Sequence, residues 1–176
     1  MKPGRIPYSG RGGFTMIEVT VVLLIMAFLV LLAMARSSYN ANELINQTEL
    51  LKARLRYAQY MSLSGNDTSR WGLSFNTGTS ANAYTFFRAY NGGVQNLLFP
   101  GDTAAGYSFP SGSRIVVSSV TNPGGLTGAY SAPSPPYLAY NDLGYISNAA
   151  STITLMDNNT GQTETVTVVA NTGFVQ

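Results

Sequence analysis

The chain has 176 residues, enough for one domain of ordinary size together with an anchor segment. Charged residues make up 10% of it and hydrophobic residues 45%, which excludes both a disordered polyelectrolyte and a polytopic membrane protein. The formal net charge is only +2, and the chain contains no Cys and no His. Disulfides, thiol or imidazole catalysis and the usual zinc sites are therefore excluded.

A short basic segment at the N-terminus is followed by a long apolar run. Residues 19–35 carry no charge, and residues 14–35 as a helix would rise roughly 33 Å, close to a bilayer core of roughly 30 Å. Basic residues cluster before this run, and Arg36 closes it. The positive-inside rule therefore predicts that residues 1–13 are cytoplasmic and that the chain after Arg36 lies on the opposite side of the membrane.

Glu18 stands near the start of the apolar run, where a carboxylate is unfavourable. Such a charge costs about 2.5–3.5 kcal/mol at the bilayer centre and less near an end. A plain signal anchor explains the length of the run but not this residue. A cleaved secretory signal is another interpretation, because Ala33, Met34 and Ala35 match an A-x-A site. Cleavage after Ala35 would release a soluble secreted binding module.

Residues 12–19, "GGFTMIEV", resemble the processing motif of the type IV pilin and pseudopilin family. The resemblance implies that a prepilin peptidase removes a leader, residues 1–13, by cutting between Gly13 and Phe14, and then methylates the amino group of Phe14. Glu18 becomes the fifth residue of the mature chain. The implied partners are that peptidase, other pilins or pseudopilins, the inner-membrane assembly platform and membrane lipid.

This resemblance leads to an assembly hypothesis for Glu18. Where helices pack side by side at the membrane edge, the Phe14 ammonium of a neighbouring subunit can offset the carboxylate. A paired charge in a low-dielectric setting is far less unfavourable than an unpaired one, so Glu18 would penalise a subunit inserted at the wrong height. Many pilins carry a proline within this helix, whereas no Pro occurs here between Pro7 and Pro100.

Residues 37–65 predict an amphipathic continuation of the same helix. Apolar or small residues recur at spacings of three and four and form one stripe, suited to packing on a sheet. The sequence "GND" at residues 65–67 is a helix stop. The helix is thus expected over residues 14–64, with residues 14–36 spanning the membrane. The stripe consists of Leu44, Thr48, Leu51, Leu55, Ala58 and Met61.

Residues 66–176 predict one β-rich head domain of antiparallel strands, because short β-branched and aromatic runs alternate with turn formers. The turn-rich residues 157–163 predict a hairpin, and the Pro/Gly/Ser-rich residues 121–136 predict an exposed, mobile loop. The expected fold class is α+β: a long N-terminal helix packed on an antiparallel β-sheet head, similar to pilins. The predicted strands are "WGLSF", "YTFFRAY", "RIVVSSV", "STITLM" and "ETVTVVA".

The order of these elements is loosely similar to that of H-type minor pseudopilins over residues 55–75 and 140–175. This resemblance implies a structural subunit of the type II protein secretion pseudopilus. It would be a single-pass protein of the bacterial inner membrane, with a cytoplasmic N-terminus and a periplasmic head. A minor type IV pilin that primes or decorates a surface pilus is the alternative, and the released binding module is the second.

Other chemistry has weaker support in the sequence. Catalysis is not expected, because Lys2 and Lys52 are the only lysines and the carboxylates of the head are dispersed singly. No cofactor is expected. Asp157, Asn159 and Glu164 form a faint calcium-loop pattern, for which a hairpin turn is the simpler explanation.

Nucleic-acid binding is not expected either. The basic residues after residue 56 are Arg70, Arg88 and Arg114, and three charges neutralise few phosphates. Without the basic residues of the leader, seven basic groups face eight acidic ones. The mature chain therefore lacks the positive field that attracts a polyanion.

Overall fold

The computed structural model describes residues 13–65, 68–77, 83–110, 113–126, 130, 133, 136–146 and 149–176, without the side chains of residues 35–42. Within these ranges the fold is α+β, as predicted: one helix and eight strands in two antiparallel sheets. The chain divides into two compact units, Met1–Tyr39 and Asn40–Gln176. The elements are α1 (Met16–Ser64), β1 (Arg70–Phe75), β2 (Tyr84–Tyr90), β3 (Gly93–Leu97), β4 (Gly106–Tyr107), β5 (Ile115–Thr121), β6 (Tyr137–Tyr140), β7 (Ser151–Asp157) and β8 (Thr163–Val168).

Helix α1 comprises 49 residues, Met16–Ser64, which confirms the helix predicted over residues 14–64. No proline removes a backbone donor along its length, so the ladder of backbone hydrogen bonds continues. The helix ends where predicted, and the N–H of Gly65 donates to the carbonyl of Met61 at 3.1 Å.

The larger sheet has the strand order β3-β2-β1-β6, with β4 also paired to β2. Strand β1 is central, and its Gly72 lies opposite Ala139 of β6. A Cβ at Gly72 would collide with the carbonyl oxygen of Leu138. Glycine is required there because the backbone of β6 approaches too closely for any side chain.

The smaller sheet has the order β5-β7-β8, and the predicted hairpin between β7 and β8 is confirmed. Alternate residues of β7 are buried, as expected for a strand with one face on a core. On β8 the same face carries Val166 and Val168, both fully buried, while the first three residues of the strand are exposed.

The second half of α1 supplies the helical side of the hydrophobic core. Five of the six residues of the predicted stripe are buried and the sixth, Met61, is half-buried, which confirms that this face packs inside the domain. The residues it joins in the core come from both sheets, including Leu73 of β1 and Ile153 of β7. Packing of a sheet-facing stripe at helical spacing is what holds this half of the helix.

Three strands were not predicted, and one loop prediction was wrong in part. Strands β3, β4 and β6 are short or polar, so their local pattern is weak. In the stretch expected to be a mobile loop, the N–H of Gly124 donates to the carbonyl of Tyr137 at 2.7 Å, and Leu126 packs beside Ala139. Residues 127–129, 131, 132, 134 and 135 of that stretch lie outside the described residues.

Candidate functional site

The first half of α1 is an apolar helix with none of its side chains buried. Met16–Met34 is the one helical segment of the described chain that is long and apolar enough to cross a membrane. Its large hydrophobic side chains are exposed by fractions from 47% at Val19 to 88% at Met16. An apolar surface of this extent is unstable in water and calls for lipid or other protein to cover it.

The predicted processing site lies immediately before the start of this helix. Gly13, Phe14 and Thr15 have no regular secondary structure, and the Phe14 side chain is 82% exposed. A Cβ added at Gly13 would meet no atom within 4 Å. The fold therefore does not require glycine at this position, so a requirement for it would come from an enzyme that reads it.

Glu18 occupies the first turn of α1, together with a cap that the sequence analysis missed. The Thr15 hydroxyl accepts a hydrogen bond from the backbone N–H of Glu18 at 3.3 Å. Thr15 is thus the N-cap and Glu18 the third helical residue, the T-x-x-E spacing of a capping box. A carboxylate at this place also stabilises the positive end of the helix dipole. The T-x-x-E spacing can be recognised in the sequence alone. It gives Glu18 a second physical role, the stabilisation of the helix N-terminus.

Several predicted features lie outside the described residues. The basic residues of the leader, in residues 1–12, and the side chain of Arg36 belong to this group. The membrane orientation inferred from them stays a prediction. The A-x-A sequence that ends at Ala35 lies inside α1 rather than in an extended segment.

Within the second unit, a buried cation links α1 to the loop after β3. The Nη2 of Arg54 lies 2.9 Å from both carboxylate oxygens of Asp102, and the guanidinium stacks over the rings of Phe99 at 4.6 Å and Tyr107 at 4.0 Å. The Arg54 side chain is only 10% exposed, so this pair is shielded from solvent. Such a pair, surrounded by aromatic rings, orders the loop on the helix.

Burial changes the acidity of three tyrosines in the head. It raises the pKa of Tyr84, Tyr107 and Tyr140 above the ordinary value, although the Arg54 guanidinium partly opposes this rise at Tyr84 and Tyr107. The Tyr107 hydroxyl donates to the side-chain oxygen of Gln47 at 2.8 Å. All three phenols are neutral at physiological pH, which fits a packing role better than proton transfer.

The end of α1 is tied to two loops by side-chain amide and guanidinium donors. The Nε2 of Gln59 donates to the carbonyls of Gly144 at 2.7 Å and Thr172 at 3.0 Å. The Nη2 of Arg56 donates to the carbonyl of Val175 at 3.1 Å. These polar side chains therefore hold the C-terminal segment against α1. No local sequence pattern predicts these hydrogen bonds.

The weak calcium candidates do not form a cluster of acidic ligands. Asp157 is buried, and its Oδ1 accepts hydrogen bonds from the backbone N–H groups of Asn159 at 2.7 Å and Thr160 at 3.4 Å. Glu164 is exposed on the next strand. Within the described residues no group of three or more acidic, His or Cys side chains is placed to hold a metal. The Asp157 carboxylate acts as the internal acceptor of the hairpin turn.

The three arginines of the head have separate surroundings. Arg70 forms an ion pair with Asp142, and the Nε of Arg88 donates to the Ser69 hydroxyl at 2.9 Å. Arg114, the residue before β5, is exposed. Two of the three guanidinium groups are therefore engaged within the head.

Comparisons of the chain with protein-family models, with curated proteins and with solved structures found no match. The apolar, exposed half of α1, which includes Glu18, and the residues Gly13 to Thr15 in front of it form the candidate functional site.

Proposed function

We propose that the chain is a minor pseudopilin, a structural and non-enzymatic subunit of the type II secretion pseudopilus. The observation that carries the proposal is the exposure of every side chain from residue 16 to residue 34. The second half of the same helix, by contrast, contributes side chains to the hydrophobic core. Prepilin peptidase would cut between Gly13 and Phe14, and the freed helix would enter the filament. The pilin-like layout of helix and head supports this assignment.

Lipid and neighbouring helices are the two environments that suit the apolar half of α1. Before assembly a bilayer would cover it, with the N-terminus in the cytoplasm and the head in the periplasm. In the filament the helices of sibling subunits would take the place of lipid. The partners are thus other pseudopilins, the prepilin peptidase and the inner-membrane assembly platform.

The mature N-terminus tests the processing step. Intact-mass measurement and N-terminal sequencing of the protein, purified from cells with and without a prepilin peptidase, should give a chain that starts at methylated Phe14 only when the peptidase is present. An uncut chain in the presence of the peptidase would contradict the proposal. A chain that starts at Arg36 would support the secreted module instead.

Gly13→Ala is the matched variant for this experiment. Because open space surrounds Gly13, the substitution should leave the head unchanged while it blocks cleavage. Fluorescence of Trp71, the single tryptophan, reports on the head. Efficient cleavage of the Gly13→Ala chain would count against recognition of this motif.

The two roles of Glu18 can be separated by a pair of variants. Thr15→Ala removes the N-cap, a loss of about 1 kcal/mol in helix stability, but keeps the carboxylate. Glu18→Gln removes the charge and keeps the backbone bond to Thr15. If charge compensation controls assembly, only Glu18→Gln should lose filament incorporation, measured by crosslinking in cells. Normal incorporation of Glu18→Gln, or an equal loss in Thr15→Ala, would contradict control of assembly by the Glu18 charge.

The type IV pilus alternative shares this helix and this processing site. Crosslinking from the apolar half of α1 would distinguish the two machines, since the sibling subunits recovered would belong either to a secretion system or to a surface pilus. Recovery of surface-pilus subunits alone would replace the first proposal with the alternative.

A further inference from the structure

We propose that Asn91 is a site of spontaneous covalent modification, at which the side-chain amide is lost and an aspartate or isoaspartate residue is formed. Asn91 and Gly92 connect β2 to β3, and Asn91 is the one asparagine of the chain that glycine follows. The site lies wholly in the second unit. The proposal therefore does not depend on the function proposed for α1.

The reaction needs water and no other reactant. The backbone nitrogen of Gly92 attacks Cγ of Asn91, a bond forms between these two atoms, and the bond from Cγ to Nδ2 breaks. The Gly92 amide proton leaves with the side-chain amino group as ammonia, and a succinimide ring remains. Water then opens the ring. Cleavage of the bond between Cγ and nitrogen gives aspartate, and cleavage of the bond between the main-chain carbonyl carbon and nitrogen gives isoaspartate.

The attacking nitrogen belongs to a residue without a side chain. A side chain on the residue after an asparagine shields the backbone nitrogen, and glycine has none. A Cβ built at Gly92 would meet no atom within 4 Å, and Asn91 and Gly92 are both exposed. Water and hydroxide therefore have access to both reacting groups.

The turn lies at the edge of a sheet, where a change of conformation costs little. Tyr90 pairs with Gly93, so Asn91 and Gly92 form a tight turn in which Gly92 has a φ of 95°. Ring closure requires rotation about the Cα–C bond of Asn91, so this pairing and the bridge from Asn91 to Tyr130 must open first. Strand β3 is at the end of the strand order of its sheet, and none of its residues is buried. Local opening of such a hairpin costs much less free energy than global unfolding.

Either product changes the edge of the larger sheet. Aspartate places a negative charge at the turn. Isoaspartate lengthens the main chain by one carbon atom, so the pairing of Tyr90 with Gly93 no longer matches the geometry of a tight hairpin turn. We expect β3 to detach from β2 more often in the isoaspartate form.

Peptide mapping by mass spectrometry of the full chain in detergent micelles tests the proposal, because replacement of the amide by a carboxylate changes the mass of one peptide. The chain is incubated in mildly alkaline buffer, which favours deprotonation of the attacking nitrogen, and is sampled over weeks. Asn96 is the internal control, since it is also exposed on β3 but precedes Leu97, whose side chain shields the nitrogen. We expect Asn91 to be converted at least about tenfold faster than Asn96.

A variant and a second measurement locate the reaction and its effect. Asn91→Gln keeps a side-chain amide at the turn but would have to close a larger ring, so no product should form at residue 91 in the same period. Hydrogen exchange of the β3 amides is compared before and after incubation. It should become faster by about tenfold in the converted parent chain and stay the same in Asn91→Gln.

The proposal is overturned if Asn96 is converted as fast as Asn91, or if conversion of Asn91 occurs in urea but not in the folded chain. Unchanged exchange of the β3 amides in the converted chain would overturn the inferred effect on the hairpin. None of these outcomes bears on cleavage between Gly13 and Phe14, so the two proposals fail separately.

Discussion

In residues 16–34 of α1, apolar side chains follow one another around the whole helix and all are exposed, whereas from Leu44 to Ala58 they recur every three or four positions and are buried. The apolar side chains of the two halves are therefore covered in different ways. The second half carries its own partner, a pair of sheets in the same chain. Among the described residues of its own unit, the first half has no side chain to pack against, so lipid or other protein must cover it.

The largest expected effect separates these halves by a matched truncation. Leu55→Ala removes a fully buried side chain and should lower the free energy of unfolding of the head by about 2–5 kcal/mol, because it leaves a cavity. Leu31→Ala, at a position 66% exposed, should change it by less than about 0.5 kcal/mol. Thermal unfolding in detergent, followed by Trp71 fluorescence, measures both. A similar loss in both variants would break the distinction between the halves.

A smaller effect is expected from the two ion pairs of the second half. Asp102→Asn removes the charge that compensates the shielded Arg54 guanidinium and should cost about 1–3 kcal/mol, less than for a fully buried pair because Asp102 is 24% exposed. Glu49→Gln breaks the pair with Lys52, in which the Glu49 side chain is 60% exposed, and should cause no measurable loss of stability. Chemical denaturation measures the difference. Equal losses would show that Arg54 is adequately solvated without its partner.

The same contrast explains how much could be predicted from the sequence. The stripe from Leu44 to Ala58 and the strands β1, β2, β5, β7 and β8 have strong local periods and were predicted. Strand β6 follows a proline-rich stretch and spans only four residues, so its partner, β1, fixes it rather than its own pattern. The pair of Arg54 and Asp102 joins residues 48 positions apart, a contact that only the folded chain creates.

The candidate site was easier to predict from the sequence than the head, for a physical reason. Gly13, Phe14 and Glu18 lie within one contiguous segment, so their spacing is visible before any fold is known. The Thr15 cap is equally local, and the T-x-x-E pattern would have revealed it.

The smallest expected effect concerns pH and distinguishes buried from exposed tyrosines. Burial raises the pKa of Tyr140 above its ordinary value, and its hydroxyl has no hydrogen-bond partner among the described residues. The unfolded chain loses this proton near pH 10 while the folded chain keeps it, so the contribution to stability is constant below that pH and falls above it. The loss at pH 11 should be about 1.4 kcal/mol for this one group.

Tyr140→Phe should abolish that part of the alkaline loss without lowering stability at neutral pH, because no hydrogen bond is removed. Tyr60→Phe, which removes the hydroxyl of a residue that is 63% exposed, is the matched control, because this variant still contains Tyr140. Denaturation midpoints between pH 8 and pH 11 provide the measurement. An alkaline loss as large in Tyr140→Phe as in the parent chain would mean that solvent reaches the Tyr140 phenol in the folded chain, and that the packing between the sheets and the second half of α1 is looser than its burial indicates.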